Sequence, residues 1–478
     1  MTFRDRNEIF SKFDDRVYAS DKGVYEMSAF EKASWISDAS YNFTEKKISP
    51  IPMQFQKELK LNGIVKKSTL RISALGIYEV FVDGNRVGDR YFAPGFTSYK
   101  HQMQYQKLDL TEYLKNEKAT ITVVVAGGWA VGSFVFTRKN RIVADRQALI
   151  ASLEIDYEDG NKEYVNTDET WQVTEDGPFR YADFYDGEEY DANKSLIAST
   201  ARNATIEKLK FVPNLLKEYG APVICKQVLE PVEKTIVSNE VTRFDFGQNF
   251  AGVVEIELNG QKGQRIEITH AEVLKNDGSL NRDFLRTAKA TAVYYCKDGI
   301  QTYSPRFTYM GFRYIEVSGI KAEDFTVRAK VLYSDIEEIG EFSCSNEMLN
   351  RLQQNIKWGA KSNFVDIPTD CPQRDERMGW TGDIAVFSKT ACFNFDMSTF
   401  LKKWLKDLKA EQLKTGGIPN TVPSNGFGFP ATMPTMAVDW WDDAVLMVPF
   451  AIYDATGDKS LIKEMYPSMK RYVDAARF

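Results

Sequence analysis

Between residues 366 and 383 the chain reads DIPTDCPQRDERMGWTGD, the densest run of reactive side chains in the sequence. It holds the carboxylates Asp366, Asp370, Asp375, Glu376 and Asp383, the guanidinium groups Arg374 and Arg377, and Trp380 beside Gly379. Carboxylates crowded together cannot all ionise cheaply, so at least one is pushed to hold its proton near neutral pH. Such a group serves as a general acid. The arginines act the other way: they keep neighbouring carboxylates charged and offer fixed donors to a ligand's oxygens. Trp380 supplies a flat apolar wall next to the acid. The same composition also fits an ion-pair network in a loop preceding a helix, and the pattern alone leaves both readings open.

Pro368 and Pro372 forbid a regular helix through this run. The segment is therefore expected to be a loop feeding a helix near Thr381, the setting in which catalytic groups are commonly carried. What must position it changes character near residue 340. Before that point the chain reads as strands. TLRISALGIYEVFVDGNRVGDR (69–90) alternates apolar and polar residues and turns at Asp83-Gly84-Asn85. ITVVVAGGW (121–129) is a β-branched run, and residues 149–175 form a second hairpin turning at Asp159-Gly160-Asn161. Short strands with regular turn signals predict a β-sandwich over 46–200, after an N-terminal segment 1–45. Residues 201–221, with Pro213 and Gly220, read as a linker. Two strands around Asn259-Gly260, then 312–319 and 325–334, predict a second β-sandwich over 222–338.

From 339 to 478 the period is helical. Ser345 is placed to cap a helix with Met348, Leu349, Leu352 and Ile356 on its apolar face. Phe400, Leu401, Trp404, Leu405 and Leu408 mark a second face, closed by Gly416-Gly417. Residues 443–454 are apolar nearly all round and contain Pro449, and Leu461, Met465, Met469 and Tyr472 mark one more helix. About five helices are expected, fewer than a closed helical toroid needs, with the last still running at Phe478.

Composition narrows the partners. A net charge of −6 argues against a nucleic-acid surface, which is usually basic. Two histidines and five scattered cysteines without a CxxC pair suggest neither a zinc site nor a disulfide framework, so no metal or cofactor is expected. The charged N-terminus lacks the apolar stretch of a signal peptide, and no run is long enough to span a membrane. A cytoplasmic location is the expectation. Aromatic residues, 13% of the chain, suit both sandwich interiors and the apolar faces of sugars.

The 366–383 run resembles the signature of bacterial α-L-rhamnosidases of glycoside hydrolase family 78. GFTSYKHQMQYQKLDLT (95–111), FRYADFYDGEEYDA (179–192), FDFGQNFAGVVEIEL (244–258), FTYMGFRYIEV (307–317) and WWDDAVLMVPFAIYDATGD (440–458) resemble further parts of the same family, so the likeness runs from about residue 30 onward. The resemblance implies a multidomain fold: two β-sandwiches followed by an (α/α)6 barrel, here incomplete. It implies hydrolysis of terminal α-L-rhamnosides with inversion. Glu376 matches the general acid, and Asp370, Arg374, Trp380 and Asp383 match positions that hold the sugar. Trp440 or Trp441 matches an aromatic wall further along. Asp443 fits the motif beginning at Trp441, while Asp442 departs from a small residue common there. The family's general base is a late glutamate, expected beyond residue 478, so the chain alone is expected to be inactive or nearly so.

Two other readings compete. A non-catalytic carbohydrate-binding sandwich protein would use exposed aromatics such as Trp129. A different enzyme on a helical toroid, for instance a lyase, would want a Tyr/His or Tyr/Arg pair, which the scarcity of histidine disfavours.

Overall fold

The computed structural model describes residues 30–211, 214–425, 427 and 440–477. The first unit is a β-sandwich. One sheet is built on Val65–Leu75, flanked by Ala148–Tyr157 and Gln102–Asp109; the other is built on Met53–Lys60, Lys118–Ala126 and Ile77–Val82. Alternation of side chains across the pleat sends Leu70, Ile72, Val80, Ile121, Val123, Leu153 and Ile155 into one core between the sheets. The hairpin at Asp83-Gly84 forms as its sequence demands, with both residues at positive φ, 50° and 79°.

The second unit is a ten-stranded hydrogen-bonded sheet organised around one long strand, Val241–Gly260. This strand is irregular between Asp245 and Phe250, where Gly247 has φ 71°. Its first part pairs with Glu233–Ser238 and Met310–Ser318, its second with Phe325–Ser334 and Gly299–Tyr303. The irregularity lets one strand serve two sets of neighbours. Asn259 and Gly260 remain paired within it, so the chain reverses at 261–264 and not at the Asn-Gly step that the sequence suggested.

Two expected boundaries also differ. Phe179–Asp183 and Gly187–Asp191, read as part of the first sandwich, belong to the second sheet, where Gly187–Asp191 runs parallel to Thr291–Tyr295. The segment 201–221, read as a linker, returns three short strands to the first sandwich: Arg202–Asn203, Thr205–Ile206 and Asn214–Lys217. Backbone pairing with distant strands, which no local pattern encodes, decides both.

The helical region contributes α1 (Glu347–Asn363), α2 (Thr381–Asn394), α3 (Ser398–Glu411), α4 (Ala444–Thr456) and α5 (Lys459–Ala476). Among the described residues no helix is long and apolar enough to cross a membrane. Helix α3 buries Phe400, Leu401, Trp404, Leu405 and Leu408 as the periodicity predicts, together with Lys403 and Asp407. It stops at Glu411, before the glycine pair. Helix α1 differs. Asn346, not Ser345, caps it by accepting from the Met348 and Leu349 amides, and its buried residues are Lys357, Ala360, Lys361 and Ser362. Met348, Leu349 and Leu352 are exposed. The polar face of α1 is turned inward because Glu338, next to the second β unit, takes Lys357 at 2.8 Å and Lys361 at 2.6 Å.

A single apolar core runs through all three units: Phe96 and Trp129 from the sandwich, Phe250 and Phe312 from the second sheet, Trp404 and Met465 from the helices. Trp129 lies inside it, stacked on Phe96 at 5.1 Å, so it offers no surface to a sugar.

Candidate active site

The run 364–380 leaves α1 as a tight two-residue antiparallel pair, Phe364–Val365 with Ile367–Pro368, around Asp366 at φ 67°. Asp366 is buried. Its carboxylate accepts from the Phe96 amide at 2.5 Å and from Lys403 Nζ at 2.9 Å, while Lys403 also donates to the Phe96 carbonyl. Gly95 makes this closeness possible: at φ 99°, a Cβ there would stand 2.8 Å from Asp366 Oδ1. The sandwich and α3 thus fix the start of the loop.

Arg377 fixes its middle. At φ 55° it turns the guanidinium inward, where it donates to the carbonyls of Phe184, Tyr309, Arg374 and Gln373 and lies over the Tyr309 ring at 4.6 Å. It is a structural bolt between the loop and the second sheet. Asp375 is fully buried and accepts from the Thr287 amide and hydroxyl, so it is likewise committed to the loop's support.

Between these supports the sequence-predicted residues come together. Asp370 accepts from the Met378 amide at 2.8 Å and from Arg374 at 3.2 Å. Arg374 Nε donates to Glu376 Oε2 at 3.0 Å. Trp380 Nε1 donates to Glu376 Oε1 at 3.0 Å, and the Trp380 backbone leads directly into α2. A third donor on Glu376 was not anticipated: Arg286 Nη1, from the second β unit, reaches Oε2 at 3.0 Å. Nothing in the local sequence around Arg286 marks it; only the tertiary fold brings it there. Arg286, Arg374 and Trp380 all donate to the Glu376 carboxyl, so both of its oxygens are held in place.

Burial pushes the Asp370 carboxyl up to about 6, with the nearby Glu376 charge acting in the same direction. Burial also raises Asp383, in the first turn of α2. Both line a cavity of about 640 Å³, along with Pro368, Thr369, Phe387, Trp440 and Trp441. Trp440 is 65% exposed and Trp441 36%. Gly382 lets Trp441 lie against α2, since a Cβ there would meet the indole at 3.0 Å. Glu376 is not among the described residues lining the cavity; Arg374 links it to Asp370, which is. Asp442 is buried and accepts from the Ile418 amide, whereas Asp443 accepts from the Tyr472 hydroxyl, so both brace the helices.

Ligand atoms of Asp370, Cys371 and Glu376 lie within 4.8 Å of one another, a spacing a metal ion could use. Arg374 and Arg286 already neutralise those carboxylates, and burial pushes the Cys371 thiol far up, away from the thiolate that binds metal.

The fold and site define a protein with two β units that brace a helical region bearing a carboxylate-lined pocket. Residues 63–235 match the alpha-L-rhamnosidase N-terminal domain, 235–333 the bacterial alpha-L-rhamnosidase concanavalin-like domain, and 337–477 the bacterial alpha-L-rhamnosidase 6 hairpin glycosidase domain. An alpha-L-rhamnosidase of Formosa agariphila is 35% identical over 443 residues, covering 88% of this chain and 46% of the relative. The solved alpha-L-rhamnosidase of Dictyoglumus thermophilum aligns with a TM-score of 0.86 at 33% identity, over 95% of this chain and 52% of that one. The Streptomyces avermitilis alpha-L-rhamnosidase, solved in complex with L-rhamnose, gives a TM-score of 0.83 at 33% identity, over 89% and 42%. The chain belongs to the bacterial α-L-rhamnosidase family, and it spans about half the length of these relatives.

Proposed function

We propose that this chain is the acid-bearing part of a glycoside hydrolase that removes terminal α-L-rhamnose with inversion. The observation that carries the reading is the Glu376 constellation, a carboxyl held on both oxygens beside a cavity walled by tryptophans. In this reading the α helices form the first part of an (α/α)6 barrel. The deoxy-sugar lies against Trp440 and Trp441, with Asp370 and Asp383 taking its hydroxyls and Arg374 and Trp380 holding the acid.

Glu376, once protonated, gives its hydrogen to the bridging oxygen as the glycosidic bond breaks. A second carboxylate must activate water on the opposite face, roughly 6.5–9.5 Å from the acid. Asp375, spent on Thr287, does not serve as that base in this reading. The substrate is a rhamnose-containing glycoside or oligosaccharide, the reaction takes no cofactor or metal, and the location is cytoplasmic.

The test is hydrolysis of 4-nitrophenyl α-L-rhamnoside and of a rhamnoside with a poor leaving group by the full protein. Glu376→Gln should lower the rate on the poor leaving group by about 10³-fold, the middle of the range that general acids contribute. Activity close to that of the wild type on both substrates would reject the acid assignment.

A further inference from the structure

Glu376 carries two guanidinium groups on the same oxygen, and they are held differently. Arg374 also grips Asp370, so it is tied into the loop. Arg286 has Glu376 as its hydrogen-bonded partner, with Asp375 Oδ1 further off at 4.0 Å. Its side chain is 45% exposed against 31% for Arg374. Yet the backbone presenting it is fixed on both sides. Leu285 is buried just before it and Thr287 is pinned to Asp375 just after it. Arg286 itself adopts φ 56°, ψ −113°, a conformation a non-glycine residue takes only when its surroundings impose it. A strained backbone that aims a half-exposed cation at the acid, from a different unit of the fold, is more than a surface ion pair.

We propose that Arg286 is a positioning residue for Glu376: from the second β unit it holds the carboxyl aimed through its contact on Oε2 while the pocket is empty, and yields its place there when the glycosidic oxygen arrives. The inference rests on the glycosidase reading for its purpose, though not for its geometry. The proton that Glu376 then carries comes from solvent. It forms the O–H bond on Oε2, and passes to the leaving oxygen as the bond to the sugar breaks. Arg374 and Trp380 stay in place and keep the carboxyl oriented. The other titratable groups facing Glu376 are Asp370 and Cys371 on its own loop, Asp375 beside it, and Asp383 on α2.

Trp380 provides a reporter, because its indole donates to Glu376 Oε1. The full protein labelled with 5-fluorotryptophan would be titrated by ¹⁹F NMR. The Trp380 resonance is assigned by Trp380→Phe, and its pH step is identified as that of residue 376 by its loss in Glu376→Gln. In Arg286→Met the midpoint should move up by about one pH unit, the low end of what an adjacent opposite charge produces. Arg286→Lys, which keeps the charge and is the milder change should Met perturb the loop, should restore most of the shift. The alkaline limb of the rhamnoside pH–rate profile should move with the midpoint. Equal midpoints in wild type, Arg286→Lys and Arg286→Met would overturn the inference. A shifted midpoint in a protein without rhamnosidase activity would keep Arg286 in its role and remove the glycosidase reading instead.

Discussion

The two faces of the helical region invert the usual distribution of polarity. On the side toward the β units, charged residues are buried and specifically held: Lys403 with Asp366 and Phe96, Asp407 with the Ser98 amide and Gln102, Glu411 with Ser98, Lys357 and Lys361 with Glu338. Away from these contacts Met348, Leu349, Leu352 and Phe450 are exposed. Burial of charge is justified only where partners are exact in geometry. The inner face therefore acts as a clamp that sets where the 366–380 loop lies, while the outer face contributes nothing to that placement.

If this contrast is right, breaking the clamp should be far more damaging than altering the outer face. Lys403→Met leaves the Asp366 carboxylate buried without its cation and should destabilise the protein by about 3–5 kcal/mol, read from the urea midpoint. Asp407, on the same face, measures the opposite quantity, the cost of burying a charge. Burial pushes its carboxyl up to about 6 in the folded protein, above its unfolded value of 3.8. A folded state that holds its proton longer than the unfolded chain is favoured at low pH and loses that advantage as pH rises from about 4 through 6. Asp407→Asn keeps an acceptor for Ser98 and Gln102 without the charge. It should become more stable than wild type by about 3 kcal/mol at pH 7, with the difference vanishing below about pH 4. Thermal unfolding of both proteins across that range measures it.

Smaller effects sharpen the same boundary. Asn346→Ala removes the cap that accepts from the Met348 and Leu349 amides, and should cost about 1 kcal/mol in denaturant unfolding. Leu352→Gln, on the outer face, should change stability by less than about 0.5 kcal/mol. A loss from Leu352→Gln comparable to that from Lys403→Met would show that the outer face is packed in solution and dissolve the contrast.

Helix α3 and the loop were legible because their signals are local: apolar spacing at Phe400, Trp404 and Leu408, prolines at 368 and 372, and a run of carboxylates. The tips of the first two hairpins were equally local. Helix α1 was misread in orientation because its hydrophobic period is genuine, but Glu338 competes for the opposite face through two lysines. The parallel pairing of Gly187–Asp191 with Thr291–Tyr295 joins residues more than 100 positions apart and leaves no periodic trace. Arg286 was invisible for the same reason. Its neighbours in sequence are ordinary, and its partner lies 90 residues away.

The parts of the chain that hold the acid loop come from everywhere: Phe96 from the sandwich, Thr287 and Arg286 from the second sheet, Lys403 from α3. Such a site is not a portable cassette. A helical segment grafted onto foreign β modules would carry every residue of the 366–383 run and still misplace it. Recombination within this family should accordingly exchange all three units as one inherited block.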